Sequence, residues 1–210
     1  MDERSDRTAH ATPGAPSLRP GDALIVVDVQ RDFLPGGALA VAEGDQVVPV
    51  LNHYIARFEQ ADLPTVFTRD WHPRDHCSFR AQGGPWPPHC VADSAGAAFA
   101  PGLALPPSGH LVSKATTAEA DVYSGFQGTG LADWLRERGC RRLFVGGLAT
   151  DYCVRETVRD ALAAGFAVVL LRDAVRAVEV QPGDGARAEQ AMREAGAASA
   201  TLQTLDEVPP

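Results

Sequence analysis

Six short apolar runs recur along the chain, at residues 23–27, 64–68, 110–113, 142–146, 167–171 and 198–202. The first, Ala23-Leu-Ile-Val-Val27, contains no polar position. That pattern belongs to a strand buried on both faces, as in a parallel sheet. Between the runs lie segments with helical spacing of apolar residues, over 46–60, 130–138, 154–164 and 186–195. Gly139 and Gly165 fall just past two of them, where a left-handed residue closes a helix. Alternating strand and helix predicts an α/β fold: a three-layer αβα open sheet, mostly parallel, of about six strands and Rossmann-like.

One stretch breaks the alternation. Residues 71–107 are rich in Gly, Pro and His and show little periodicity. A loop of that length inside a compact domain is usually functional. In open α/β sheets the ligand site lies beyond the carboxyl ends of the strands. Asp28, Asp70, Lys114 and the 148–153 turn all fall there. No internal boundary or repeat divides the chain, so residues 22–205 are expected to form one domain between tails at 1–21 and 206–210.

Composition narrows the partners. With 210 residues, 45% of them hydrophobic, the chain can bury one sizeable core. A net charge of -8 argues against nucleic acid or an anionic membrane as a partner. No apolar run approaches the roughly 20 residues that span a bilayer. The first twenty residues lack the apolar core of a secretory signal. Cys77, Cys90, Cys140 and Cys153 form no C-x-x-C pair, which excludes a zinc knuckle or a thioredoxin-type motif. Reduced thiols and a cytoplasmic location are therefore expected.

Three reactive groups then stand at three strand ends: Asp28 after Val27, Lys114 after Ser113, and Cys153 beyond Gly146-Gly147. Around Cys153 the chain reads strand, tight turn, helix. An isolated cysteine is usually a small buried hydrophobe. One near the first helical position feels the positive end of the helix dipole and can be held as thiolate near neutral pH. The same turn leaves backbone N–H groups aligned, as in an oxyanion hole. Together, Cys153, Asp28 and Lys114 can form a nucleophilic unit, with the carboxylate taking the thiol proton.

Asp70-Trp-His72 supplies a second constellation. Residues two apart on an extended segment project to one side. With His89 from the loop they make a two-His, one-carboxylate set suited to a divalent metal: zinc first, iron or manganese as alternatives. Isolated loop histidines are more often simply solvated, but His72, His76 and His89 cluster in one Pro-rich loop. Phe33, Trp71, Trp86 and Tyr123 flank these groups, where aromatics can sandwich a flat ring.

In order along the chain, Asp28-Val-Gln-Arg-Asp32-Phe33, Gly36-Gly37, Asp70-Trp-His72-Pro, Trp86-Pro-Pro-His89-Cys90, Tyr123-Ser-Gly-Phe126 and Ala149-Thr-Asp151-Tyr-Cys153-Val resemble the nicotinamidases (pyrazinamidases). These belong to the isochorismatase-like cysteine hydrolase superfamily. The resemblance implies a Cys153/Asp28/Lys114 triad that hydrolyses nicotinamide to nicotinate and ammonia through a cysteine thioester. It also implies an oxyanion hole from the N–H groups of Ala149 and Cys153, and a cis peptide at Leu148–Ala149. Asp70, His72 and His89 would hold the metal, while Phe33, Trp86 and Tyr123 would line the ring pocket. His76 stays open as ligand, supporting group or bystander, and Cys90 reads as structural. The alternative is a related hydrolase acting on another small amide or N-carbamoyl compound; a homo-oligomer stays open.

Overall fold

The computed structural model describes residues 18–206, so most of both expected tails lies outside the described residues. Leu18, the first described residue, packs against the core. The element order is β1 (Asp22–Val27), α1 (Val47–Gln60), β2 (Thr65–Asp70), β3 (His110–Lys114), α2 (Leu131–Glu137), β4 (Arg142–Leu148), α3 (Arg155–Ala163), β5 (Ala167–Arg176), α4 (Asp184–Glu194), β6 (Ala198–Ala200) and α5 (Leu202–Asp206). Among the described residues the strands form one sheet in the order β3-β2-β1-β4-β5-β6, with every pairing parallel.

Alternation along β1 explains the three layers, because successive side chains leave opposite faces of a sheet. Leu24 and Val26 join Leu51, Tyr54, Ile55 and Phe58 of α1. Ala23, Ile25 and Val27 instead join Leu131 and Leu135 of α2, Val158 and Ala161 of α3, and Met192 of α4. Every residue of β1 is buried, the apolar run 23–27 as its pattern requires and Asp22 in an ion pair with Arg142.

Strand order reverses at β1, which pairs with β2 on one side and β4 on the other. A crevice opens there at the carboxyl ends, the usual ligand position in such sheets. Gly147 brings β4 close to β1 at that point. Its φ is +123°, and a Cβ there would collide with the Val27 backbone.

Several strand ends differ from expectation; β2 and β4 each run two residues further, to Asp70 and Leu148. β5 runs on past Leu171 to Arg176, through polar residues that hid it. Asp173 is accommodated because its carboxylate accepts the Tyr54 hydroxyl at 2.9 Å and the Leu202 N–H at 2.8 Å. The last strand stops at Ala200, and a short helix starts at Leu202. The Thr201 N–H donates to Thr204 Oγ1 at 2.9 Å, a local turn that ends the extended run.

Candidate active site

β1, β2 and β3 deliver the charged groups. Asp28 follows β1, while Asp70 and Lys114 are the last residues of β2 and β3 and pair in register. Asp28 has φ +48°, a left-handed conformation that turns the chain just past the strand. Its Oδ1 accepts the Thr68 hydroxyl at 2.6 Å. Its Oδ2 lies 2.9 Å from Lys114 Nζ but has no well-aligned hydrogen bond, which leaves a lone pair available.

Lys114 sits among three groups. Its Nζ is 2.9 Å from Asp28, 2.5 Å from Asp70 Oδ1 and 3.4 Å from Cys153 Sγ. All four side chains are buried. Burial disfavours the charge on Lys114, but Asp28 and Asp70 outweigh it and hold the ammonium protonated well above its ordinary value. Burial raises the Asp28 carboxyl; Lys114 opposes the rise and Asp70 adds to it. Asp70 is disfavoured by burial as well, yet Lys114 and His72 hold it well below the usual carboxylate range.

Cys153 corrects one expectation. It lies in a π-helical turn, Thr150–Val154, that precedes α3, and it is buried. Burial drives its pKa well above the ordinary thiol value; Lys114 opposes this, and Asp28 and Asp70 reinforce it. A helix dipole contributes about 0.3–1 kcal/mol at a surface, whereas full burial can shift a group by up to about 3–5 units. Burial therefore favours the protonated thiol. Asp28 is beside it: ligand atoms of Asp28, Asp70 and Cys153 lie within 4.8 Å of one another.

Asp70, His72 and His89 likewise bring their ligand atoms within 4.8 Å of one another. His72 Nδ1 faces the Ala115 carbonyl at 3.3 Å, and His89 Nδ1 faces that of Pro87 at 2.8 Å. A carbonyl only accepts, so both Nδ1 atoms carry the proton and both Nε2 lone pairs are exposed to the group. His72 Nε2 is buried without a hydrogen-bond partner, which fits a ligand position. The residues suit a divalent ion. The Asp28, Asp70 and Cys153 group does not, because the Lys114 ammonium already supplies its cation.

His76 behaves differently. Its Nε2 donates to the Ala120 carbonyl at 3.1 Å, and its Nδ1 bonds the Ser78 hydroxyl at 2.8 Å. Both nitrogens are occupied, and the ring packs on His72 with centroids 4.2 Å apart. Cys90 is buried, and its backbone N–H donates to Asp32 Oδ2 at 2.7 Å.

A pocket joins the two groups. It is lined by Phe33, Trp86, His89, Tyr123 and Ala149 together with Asp70 and Cys153. The Trp86 indole donates to the Tyr123 hydroxyl at 3.0 Å, locking one wall, and Phe33 leans on the His89 ring at 5.6 Å. Leu39, Tyr152 and Val178 also line it, a role that nothing in the sequence assigned to them. Leu39 and Val178 look like ordinary apolar residues, and Tyr152 was overshadowed by its neighbour Cys153. The peptide between Leu148 and Ala149 is cis.

Comparison with known proteins fits this geometry. Residues 22–205 match the family model of the isochorismatase domain. The chain belongs to the isochorismatase family. Among isochorismatase-family relatives, a nicotinamidase from Escherichia coli K12 is 40% identical over 209 residues, covering 90% of this chain and 98% of the relative. The crystal structure of the pyrazinamidase of Pyrococcus horikoshii in complex with zinc is similar with a TM-score of 0.84 and 50% identity, covering 87% of this chain and all (100%) of that one. PnC1 from L. infantum, in complex with nicotinate, gives a TM-score of 0.83 at 38% identity, covering 90% and 98% of the two chains.

Proposed function

We propose that this isochorismatase-family chain is a metal-dependent amidase that converts nicotinamide to nicotinate and ammonia through a thioester on Cys153. One observation carries the proposal: a buried ammonium, Lys114, contacts the thiol, its base and a carboxylate of the ligand group, beneath a pocket walled by aromatic rings. The family relatives support the substrate, being a nicotinamidase and a protein in complex with nicotinate.

In the mechanism, Asp28 Oδ2 takes the thiol proton as Sγ attacks the carboxamide carbon. Lys114 stabilises the emerging thiolate and keeps Asp28 oriented. The backbone N–H groups of Ala149 and Cys153, whose residues line the same pocket, receive the oxyanion. As the C–N bond breaks, Asp28 passes its proton to the departing nitrogen, and ammonia leaves. Asp28 then deprotonates water, which attacks the thioester; the C–S bond breaks, nicotinate is released and the thiol recovers its proton.

Asp70, His72 and His89 would hold the ion, and when bound it supplies a Lewis acid toward a ring nitrogen. Zinc is the first choice, in line with the zinc complex of the related pyrazinamidase. Phe33, Trp86 and Tyr123 flank the ring and exclude water. An acyclic N-carbamoyl compound has no ring for these three aromatics to hold.

The family match over residues 22–205 supports one hydrolase domain. Among the described residues no helix is long and apolar enough to cross a membrane. The four free thiols support a reducing, cytoplasmic setting. Ammonia and nicotinate release from nicotinamide, assayed on metal-stripped and zinc-loaded protein, tests the proposal. Equal rates in both, or no turnover in either, would contradict it.

A further inference from the structure

One buried carboxylate has no part in that mechanism. Asp151 lies in the π-helical turn between Ala149 and Cys153 and is only 3% exposed. Its two oxygens accept the backbone N–H groups of Val178 and Glu179, at 2.9 and 3.0 Å. Val178 is a wall of the pocket, beside Tyr152 and Cys153.

The contact continues beyond Glu179. That residue has φ +57°, a conformation an ordinary side chain keeps only when its surroundings hold it there. Its own carboxylate accepts the N–H groups of Gly183 and Gly185 at 2.6 and 2.8 Å, at the start of α4. A Cβ on Gly185 would meet Ala177 Cβ at 2.7 Å, so the segment after β5 lies hard against that helix. Two carboxylates in series thus tie the cysteine turn to the 177–179 segment, and that segment to α4.

We propose that Asp151 is a positioning residue that sets the Val178 wall at a fixed place relative to the Cys153 thiol. It governs how tightly a flat amide fits and leaves bond making to the triad. The tether stands on geometry alone; its kinetic consequence rests on the nicotinamide proposal. A charged acceptor shared by two N–H groups is strong and directional. An amide in its place must turn its NH2 toward one of them, so at least one bond is lost.

Asp151→Asn tests this. Hydrogen exchange at the Val178 and Glu179 amides should accelerate by about tenfold or more, the factor that a lost charge-assisted bond implies. KM for nicotinamide should rise by a similar factor, while kcat stays within about threefold. Val158→Ala, a core truncation in α3, should lower the Tm and leave KM unchanged, which separates positioning from general destabilisation. Should Asp151→Asn fail to fold, Val178→Ala must reproduce the KM rise with kcat within the same limit. Unchanged exchange at the two amides, or a fall in kcat at constant KM, would overturn the proposal. If wild-type protein does not hydrolyse nicotinamide, the functional proposal is lost while the exchange result still decides the tether.

Discussion

Lys114 and Asp70 form a buried ion pair, Nζ to Oδ1 at 2.5 Å, that joins the Asp28 and Cys153 group to the Asp70, His72 and His89 group. The same ammonium reaches Asp28 and Cys153. With a neutral thiol, the cluster of two carboxylates and one ammonium carries one net negative charge in a buried setting. A dication beside Asp70 would offset that excess, which is a physical reason for the two groups to lie together.

Removing the shared cation should therefore be costly on two counts. Lys114→Met leaves two buried carboxylates facing each other and should destabilise the fold by about 3–5 kcal/mol, the usual effect of breaking a buried pair. Turnover should fall by about a hundredfold or more in the fraction that folds, since Asp28 loses its orienting partner. Urea unfolding and kcat on the same preparation measure both.

The pH profile should report on Asp28. In the proposed mechanism its carboxylate acts ionised, and burial raises its pKa. Activity should thus be lost as pH falls through that raised value, at a pH above the ordinary aspartate value of about 4. A kcat/KM profile locates the limb. Asp28→Asn should abolish turnover at every pH.

The ligand group should be separable from its neighbour. His72→Ala, His89→Ala and Asp70→Asn should each lower bound zinc, measured by elemental analysis, and the two histidine changes should raise KM more than they lower kcat. His76→Ala should keep its metal near the wild-type level, because both nitrogens of His76 are already engaged. Its cost should appear as a lower Tm.

Much of this arrangement was legible in the sequence, for a physical reason. Parallel strands buried on both faces must be apolar, so Asp28, Asp70 and Lys114 stand out where each run ends. The D-x-H spacing and the Gly-Gly lead into the cysteine turn were equally visible. What escaped were residues that act through backbone groups. Gln30 is fully buried, donates to the carbonyls of Asp70 and Ala97 at 2.8 and 2.9 Å, and accepts the Asp70 N–H at 2.8 Å. A side-chain amide standing in for a neighbouring strand leaves no periodic signature. The upward push on the thiol pKa is not legible in the sequence, because burial depends on the whole fold, whereas the helix dipole can be read from a local pattern.

Gln30→Ala should consequently be worse than its type implies. It orphans three buried backbone groups, at about 1–3 kcal/mol for each that water cannot reach. Because Asp70 would lose its anchor, bound zinc should fall along with stability. Thermal unfolding and elemental analysis of the purified variant provide the check.

The central claim is that Cys153 forms the bond to the substrate. Acid-quenched turnover with nicotinamide, followed by intact-mass and peptide analysis, examines it directly. A nicotinoyl adduct should appear on the Cys153 peptide and on no other cysteine peptide, and Cys153→Ala should fold normally, carry no adduct and release no ammonia. Appreciable ammonia release by Cys153→Ala would contradict the account.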